Sequence, residues 1–198
     1  SFWTGLLMLL PVLVIHYIGS IVSWITLGTG NVFLAFLQAF APGFCEEIGF
    51  RGLGVANYMR TIKSERQIKV IFWLSSIIFG LAHSANIFSG GDFFSCVIQV
   101  IYASGIGMLL GAVYLRTGNL LPCILGHMSL DFFEFVRKDL SQSGGLMMGM
   151  GAGDWITVFS ALVGAVLGLW LIREKYHPEI MEVWDRKWNK GEFNETVY

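Results

Sequence analysis

Residues 31–59 read NVFLAFLQAFAPGFCEEIGFRGLGVANYM. As one helix this stretch would be about 42 Å long, more than the hydrocarbon core of a bilayer requires. It is apolar on both flanks and carries Glu46, Glu47 and Arg51 in its middle. Charges at membrane depth are costly, so they face the interior of a bundle and mark functional sites. Glu47 and Arg51 are four positions apart and pair on one helical face. Glu46 points about 100° away and has no local cation. A buried carboxylate without a cation holds a proton more readily than in water. One glutamate held by arginine and one left to exchange protons is a workable division for acid/base chemistry. A salt-bridged contact between membrane helices is the plainer reading of the same residues.

The rest of the chain has the same character. It is 55% hydrophobic and 14% charged over 198 residues, with several apolar runs long enough to span. Their lack of alternation excludes a β-barrel. The fold class is therefore all-α, a multi-spanning transmembrane helical bundle of about six spans. A net charge of −1 with no basic block points to no nucleic-acid partner. Cys45, Cys96 and Cys123 lie in apolar runs without metal or redox spacing and read as small core residues. The first apolar run lacks a basic leader and reads as a span, not a signal peptide.

The six segments fall at residues 2–27, 31–59, 69–84, 93–114, 119–136 and 155–172. Pro11 is placed to kink the first, and Pro42-Gly43 to break or kink the second just before the glutamates. His16 reads as a packing residue. Gly49, Gly52 and Gly54 permit close helix approach. So do Gly105, Gly107 and Gly111, which have neither the preceding strand nor the lysine of a phosphate loop. Gly164 and Gly168 form a further small-residue pair. The Gly/Met-rich stretch 137–154 reads as a loop.

Two units follow: the bundle at 1–173 and a cytoplasmic amphipathic tail at 174–198. In the tail, Ile180, Val183, Trp184 and Trp188 recur at helical spacing and suit a helix on the membrane surface. Lys and Arg concentrate in the 60–69 turn, at Arg116 and in the tail. The positive-inside rule places these, and both ends of this chain, in the cytoplasm. The sequon at Asn194 is then unused. Short loops and compact size suit a bacterial multi-pass cell-membrane protein.

Measured from the basic ends, Glu46 lies roughly 20 Å deep, His83 roughly 21 Å, and His127 and Asp131 roughly 12 and 18 Å. Three separate segments thus bring rare polar groups to similar depth, which points to a shared site.

With these residues together, the chain resembles the CAAX-protease and bacteriocin-processing family (CPBP), also called the Abi family. Glu46-Glu47-x-x-x-Arg51 is similar to its first motif, Phe79-x-x-x-His83 to its second and His127-x-x-x-Asp131 to its third. The family includes the eukaryotic enzymes that trim prenylated CAAX proteins. It also includes bacterial proteins linked to peptide maturation and bacteriocin immunity.

The resemblance implies a metal-independent glutamic intramembrane endopeptidase without a cofactor. Glu46 would be the catalytic glutamate, activating water with His83. His127 and Asp131 would stabilise the oxyanion. Glu47 and Arg51 would brace the site, and Phe79 would pack on the His83 ring. Many members have Asn where this chain has Asp131. Either Asp131 is kept protonated by burial, or it orients His127 and favours the imidazolium that donates. A His₂Glu metal set of Glu46, His83 and His127 is the competing chemistry, with no HExxH to support it.

The substrate implied is a hydrophobic or lipidated peptide or protein precursor, with membrane lipid as the surroundings. The cavity is expected between segments two, three and five, open to the cytoplasmic side. The alternative from another class is a catalytically silent scaffold or immunity partner that binds another membrane or cell-envelope protein.

Overall fold

The computed structural model describes residues 1–27, 31–90, 93–140 and 152–188. They are almost entirely helical, with no strand among them: α1 (Phe2–Leu27), α2 (Val32–Glu47), a π-helical stretch (Ile48–Val55), α3 (Ala56–Arg60), α4 (Glu65–Ala82), a 3-10 stretch (His83–Ser89), α5 (Phe93–Thr117), α6 (Leu121–Leu140), α7 (Ala152–Leu171), a 3-10 turn (Glu174–Tyr176) and α8 (His177–Trp188). The protein is a multi-spanning all-α bundle. Four segments are long and apolar enough to cross a membrane: Phe2–Ile21, Val32–Arg60, Glu65–Phe88 and Cys96–Thr117. Val158–Leu171 is a shorter apolar helix. The sequon at Asn194 and most of the Gly/Met-rich loop lie outside the described residues.

Helix starts follow local chemistry. The Leu34 N–H donates to Asn31 Oδ1 at 2.9 Å, capping α2. Ser64 and Gln67 form a reciprocal capping box at α4. The 69–84 segment thus begins earlier than hydropathy suggests, because the cap and the polar first turn belong to the helix. At the far end of α5, Gly118 adopts φ +62° and its N–H closes on the Tyr114 carbonyl at 2.8 Å, a left-handed stop suited to glycine.

The core is built on α5, whose residues 105–115 are all buried. Small residues bring its neighbours close. A Cβ on Gly168 of α7 would stand 2.8 Å from Met108 of α5, and one on Gly5 of α1 would stand 2.7 Å from Pro122 of α6. Leu9 meets Gly126 and Tyr17 meets Phe133 at 4.2 Å between ring centroids, so α1 and α6 run in the same direction. Gly43 places α2 directly against Met128 of α6.

Three local expectations change. The second segment is not broken at Pro42-Gly43: α2 is continuous through Pro42, and regularity changes only after the glutamates. There the Ala56 N–H reaches the Arg51 carbonyl five residues back. Gly49, Gly52 and Gly54 weaken the α-helical preference over this stretch, which is where a wider turn is least costly. Cys45 is exposed on the outside of the bundle, whereas Cys96 and Cys123 are buried. The helix face follows the backbone rotation, not the hydropathy of the run.

The tail helix also differs. Its Ile180 and Trp184 are buried in protein, and Trp184 Nε1 donates to the Leu115 carbonyl at 2.9 Å. That carbonyl belongs to the last turn of α5, where intrahelical donors run out. Only Trp188 of the predicted apolar stripe is exposed. Arg116–Glu179 at 3.0 Å and Lys69–Glu174 add ion pairs. The start of α4, the end of α5 and the tail thus share one end of the bundle.

Candidate active site

The polar groups of three helices converge beside α5. Glu47 and Arg51 are fully buried. An Arg51 terminal nitrogen (Nη1) donates to Glu47 Oε1 at 2.8 Å, and Nη2 donates to the Gly107 carbonyl at 3.2 Å. Guanidinium geometry suits both contacts, since a planar fork satisfies a carboxylate and a carbonyl at once. The guanidinium also lies over the Phe79 ring, 4.0 Å from its centroid. Phe79 in turn meets the rings of His83 at 5.3 Å and His127 at 5.6 Å, both edge-on. Phe50 closes the other side of Phe79 at 5.2 Å.

Glu47 has a second partner. His127 Nδ1 donates to the same Oε1 at 3.0 Å. The other ring nitrogen, Nε2, lies 3.5 Å from Asp131 Oδ2, one helical turn along α6. His127 is thus flanked by a carboxylate at each nitrogen, the closer one on α2. Glu47 does more than brace Arg51: it fixes the orientation of an imidazole on another helix.

His83 occupies the end of α4, where the chain tightens into the 3-10 stretch. Its Nδ1 lies 3.0 Å from the Phe79 carbonyl. A carbonyl only accepts, so Nδ1 carries a proton in this bond, and in the neutral ring the lone pair is then on Nε2. Such an imidazole can accept a proton from water.

Glu46 is less enclosed than Glu47. It is half-buried and makes no hydrogen bond to any described residue, whereas Glu47 Oε1 accepts two; Oε2 is buried and unbonded in both. Glu46 directly precedes Glu47 at the end of α2. The structure therefore brings Glu47, Arg51, Phe79, His83, His127 and Asp131 into one connected set, with Glu46 beside it.

Two contributors leave no mark of their role in the sequence. Gly107 supplies a main-chain acceptor from α5, so the fourth segment joins the second, third and fifth at this site. Its missing side chain also makes room: a Cβ would stand 3.1 Å from the Phe79 ring and 3.3 Å from Arg51. The glycine was legible as a packing residue, but a carbonyl has no signature in a sequence. Phe50 is the second, lost among many apolar neighbours.

Among the described residues, no group of three His, Cys, Asp or Glu side chains is arranged to hold a metal ion. Both His127 nitrogens face carboxylates, so a ligand set that includes His127 would require one of these contacts to be given up.

A bundle with acidic and imidazole groups gathered among its apolar helices defines a class: polytopic membrane proteins with a buried carboxylate–histidine cluster. More narrowly, the chain belongs to the type II CAAX prenyl endopeptidase Rce1-like family, whose model matches residues 28–133. That match covers more than half of the chain and contains every candidate site residue from Glu46 to Asp131. Membership implies a membrane endopeptidase. No curated protein and no solved structure matches the chain.

Proposed function

We propose that this protein hydrolyses a peptide bond at membrane depth with a water activated by Glu46 and His83. The observation that carries the reading is the contrast between the two glutamates. Oε2 is buried and unbonded in both, but Glu47 Oε1 is bonded to both Arg51 and His127, whereas neither oxygen of Glu46 has a hydrogen bond among the described residues. A carboxylate oxygen of this kind is suited to accept a proton from water, and the Nε2 lone pair of His83 supplies a second acceptor.

Attack on the carbonyl carbon moves negative charge to the carbonyl oxygen. His127 is the donor proposed for that oxyanion. Nδ1 stays bonded to Glu47, while the long Nε2–Asp131 approach yields to the stronger acceptor as charge develops. Asp131 then acts as a positioning residue through His127, and Glu47, Arg51 and Phe79 hold the imidazole in place. Collapse of the tetrahedral intermediate expels the amine, which takes the proton first accepted from water. The proposed chemistry is glutamic-type and metal-independent. Its substrate class is a hydrophobic or lipidated peptide or a membrane-bound precursor.

The test compares membrane peptides from cells carrying wild-type or Glu46→Gln protein, with thermal melts of both purified proteins. The expected result is one precursor left uncut by a variant that melts like wild type. Activity should persist in chelators. Continued cleavage by Glu46→Gln sinks the mechanism; a cellular phenotype that survives without any cleavage supports the scaffold reading instead.

A further inference from the structure

The end of the bundle that carries the tail holds a groove of about 590 Å³, away from the carboxylate–histidine site. Lys69 and Trp73 of α4 line one side, and Leu169, Ile172, Arg173, Glu174 and Lys175 line the other. Three cations face one carboxylate. Directly along the bundle from them, Trp73, Leu169 and Trp170 are between 41% and 47% exposed. Apolar surface with tryptophans therefore gives way to positive charge within about one helical turn, the profile of a helix end at the bilayer interface.

The cations are held in place. Arg173 Nε donates to the Trp170 carbonyl at 3.1 Å, and its guanidinium lies 4.8 Å from the centroid of the Trp170 ring. Lys175 stands 4.7 Å from the Tyr176 ring centroid. Lys69 pairs with Glu174 across the groove. The local potential registers in two side chains: the Lys69 hydrogen bond and charge hold the Glu174 carboxyl below its ordinary range, and Lys175, then Arg173, pull the Tyr176 hydroxyl down.

We propose that this groove binds the phosphodiester headgroup of an anionic phospholipid from the adjoining leaflet. Lys69, Arg173 and Lys175 contact the phosphate, and the acyl chains run along Trp73 and Leu169. The positive balance fits an anion, and the exposed apolar wall fits the hydrocarbon attached to it, which a free phosphate lacks. Basic recesses between membrane helices are suited to such headgroups. Glu174 competes with the phosphate for Lys69, so the site is tuned below its maximum affinity.

The test measures phosphatidylglycerol and phosphatidylcholine retained by the purified full chain after detergent washing. Wild type should retain phosphatidylglycerol selectively, and excess inorganic phosphate should not displace it. The triple variant Lys69→Gln, Arg173→Gln, Lys175→Gln should retain about tenfold less. A control with the same charge change, Lys63→Gln, Arg66→Gln, Arg186→Gln, should stay within about twofold of wild type. Glu174→Gln should retain more, and this exposed substitution decides the matter if the triple variant misfolds. Equal losses in control and groove variants, weaker retention by Glu174→Gln, or displacement by inorganic phosphate would each overturn the assignment.

Discussion

Glu47 accepts a hydrogen bond from His127 across 3.0 Å, tying α2 to a residue 80 positions further along in α6. The same oxygen accepts from Arg51. A single buried carboxylate thereby links the first and third polar motifs, and Arg51 extends the link to α5 through Gly107. Removing one member takes a charged partner from the others in a medium that solvates them poorly.

Glu47→Leu or Arg51→Met should therefore each cost about 3–5 kcal/mol of stability, as when one partner of a buried pair is lost. The double variant should cost clearly less than the two singles together. Reversible unfolding of the detergent-solubilised protein measures all three. Simple additivity would show that the pair is not coupled.

Phe79 touches Arg51, His83 and His127 and lies on no reacting atom in the proposed mechanism. Phe79→Leu should lower kcat about tenfold with KM little changed, the loss of roughly one cation–π and ring-packing contribution. Phe79→Tyr or Phe79→Trp should recover part of the rate if the ring itself positions the imidazoles. A change confined to KM would mean that Phe79 contacts substrate instead.

Trp184 joins the tail helix to the end of α5 by burial and by one hydrogen bond. Trp184→Phe should cost about 1–3 kcal/mol, mainly by leaving the Leu115 carbonyl unpaired. Trp184→Ala should cost about 3–5 kcal/mol and release α8, seen as faster tryptic cleavage after Arg186 and Lys187. Unchanged proteolysis of Trp184→Ala would mean that Ile180 and the ion pairs suffice to hold the helix.

The Lys69–Glu174 pair gives a pH dependence with a defined sign. The Lys69 hydrogen bond and charge depress the Glu174 carboxyl below its ordinary value of 4.5. Its stabilising contribution is full above that value and disappears as pH falls through the lower folded value. Carbon NMR of labelled glutamate should show Glu174 titrating low in wild type and returning towards 4.5 in Lys69→Met. Added salt should narrow the difference, because the pair is exposed.

The membrane-bundle class was legible in residues 31–59 and the apolar runs around them, because burying apolar length is a property of composition and spacing. So was the i, i+4 pairing of Glu47 with Arg51, which one helix settles for itself. Other local outcomes were less accessible. Pro42 looked like the breakpoint, but the chain changes helix type after it, where glycines make a wider turn cheap. The stripe of α8 looked lipid-facing, yet Trp184 meets a carbonyl that α5 cannot satisfy alone.

What the sequence by itself determined was the helical membrane class, the candidate polar residues and their family motifs, since these depend on hydrophobicity, short spacings and order along the chain. Only the tertiary structure decided that His127 is held by Glu47, that Gly107 completes the Arg51 contacts, and that Glu46 Oε2 is buried beside this network without a hydrogen bond among the described residues. The physical reason is range: such contacts depend on helix rotation and crossing, which place a main-chain carbonyl or an imidazole from a distant segment within about 3 Å.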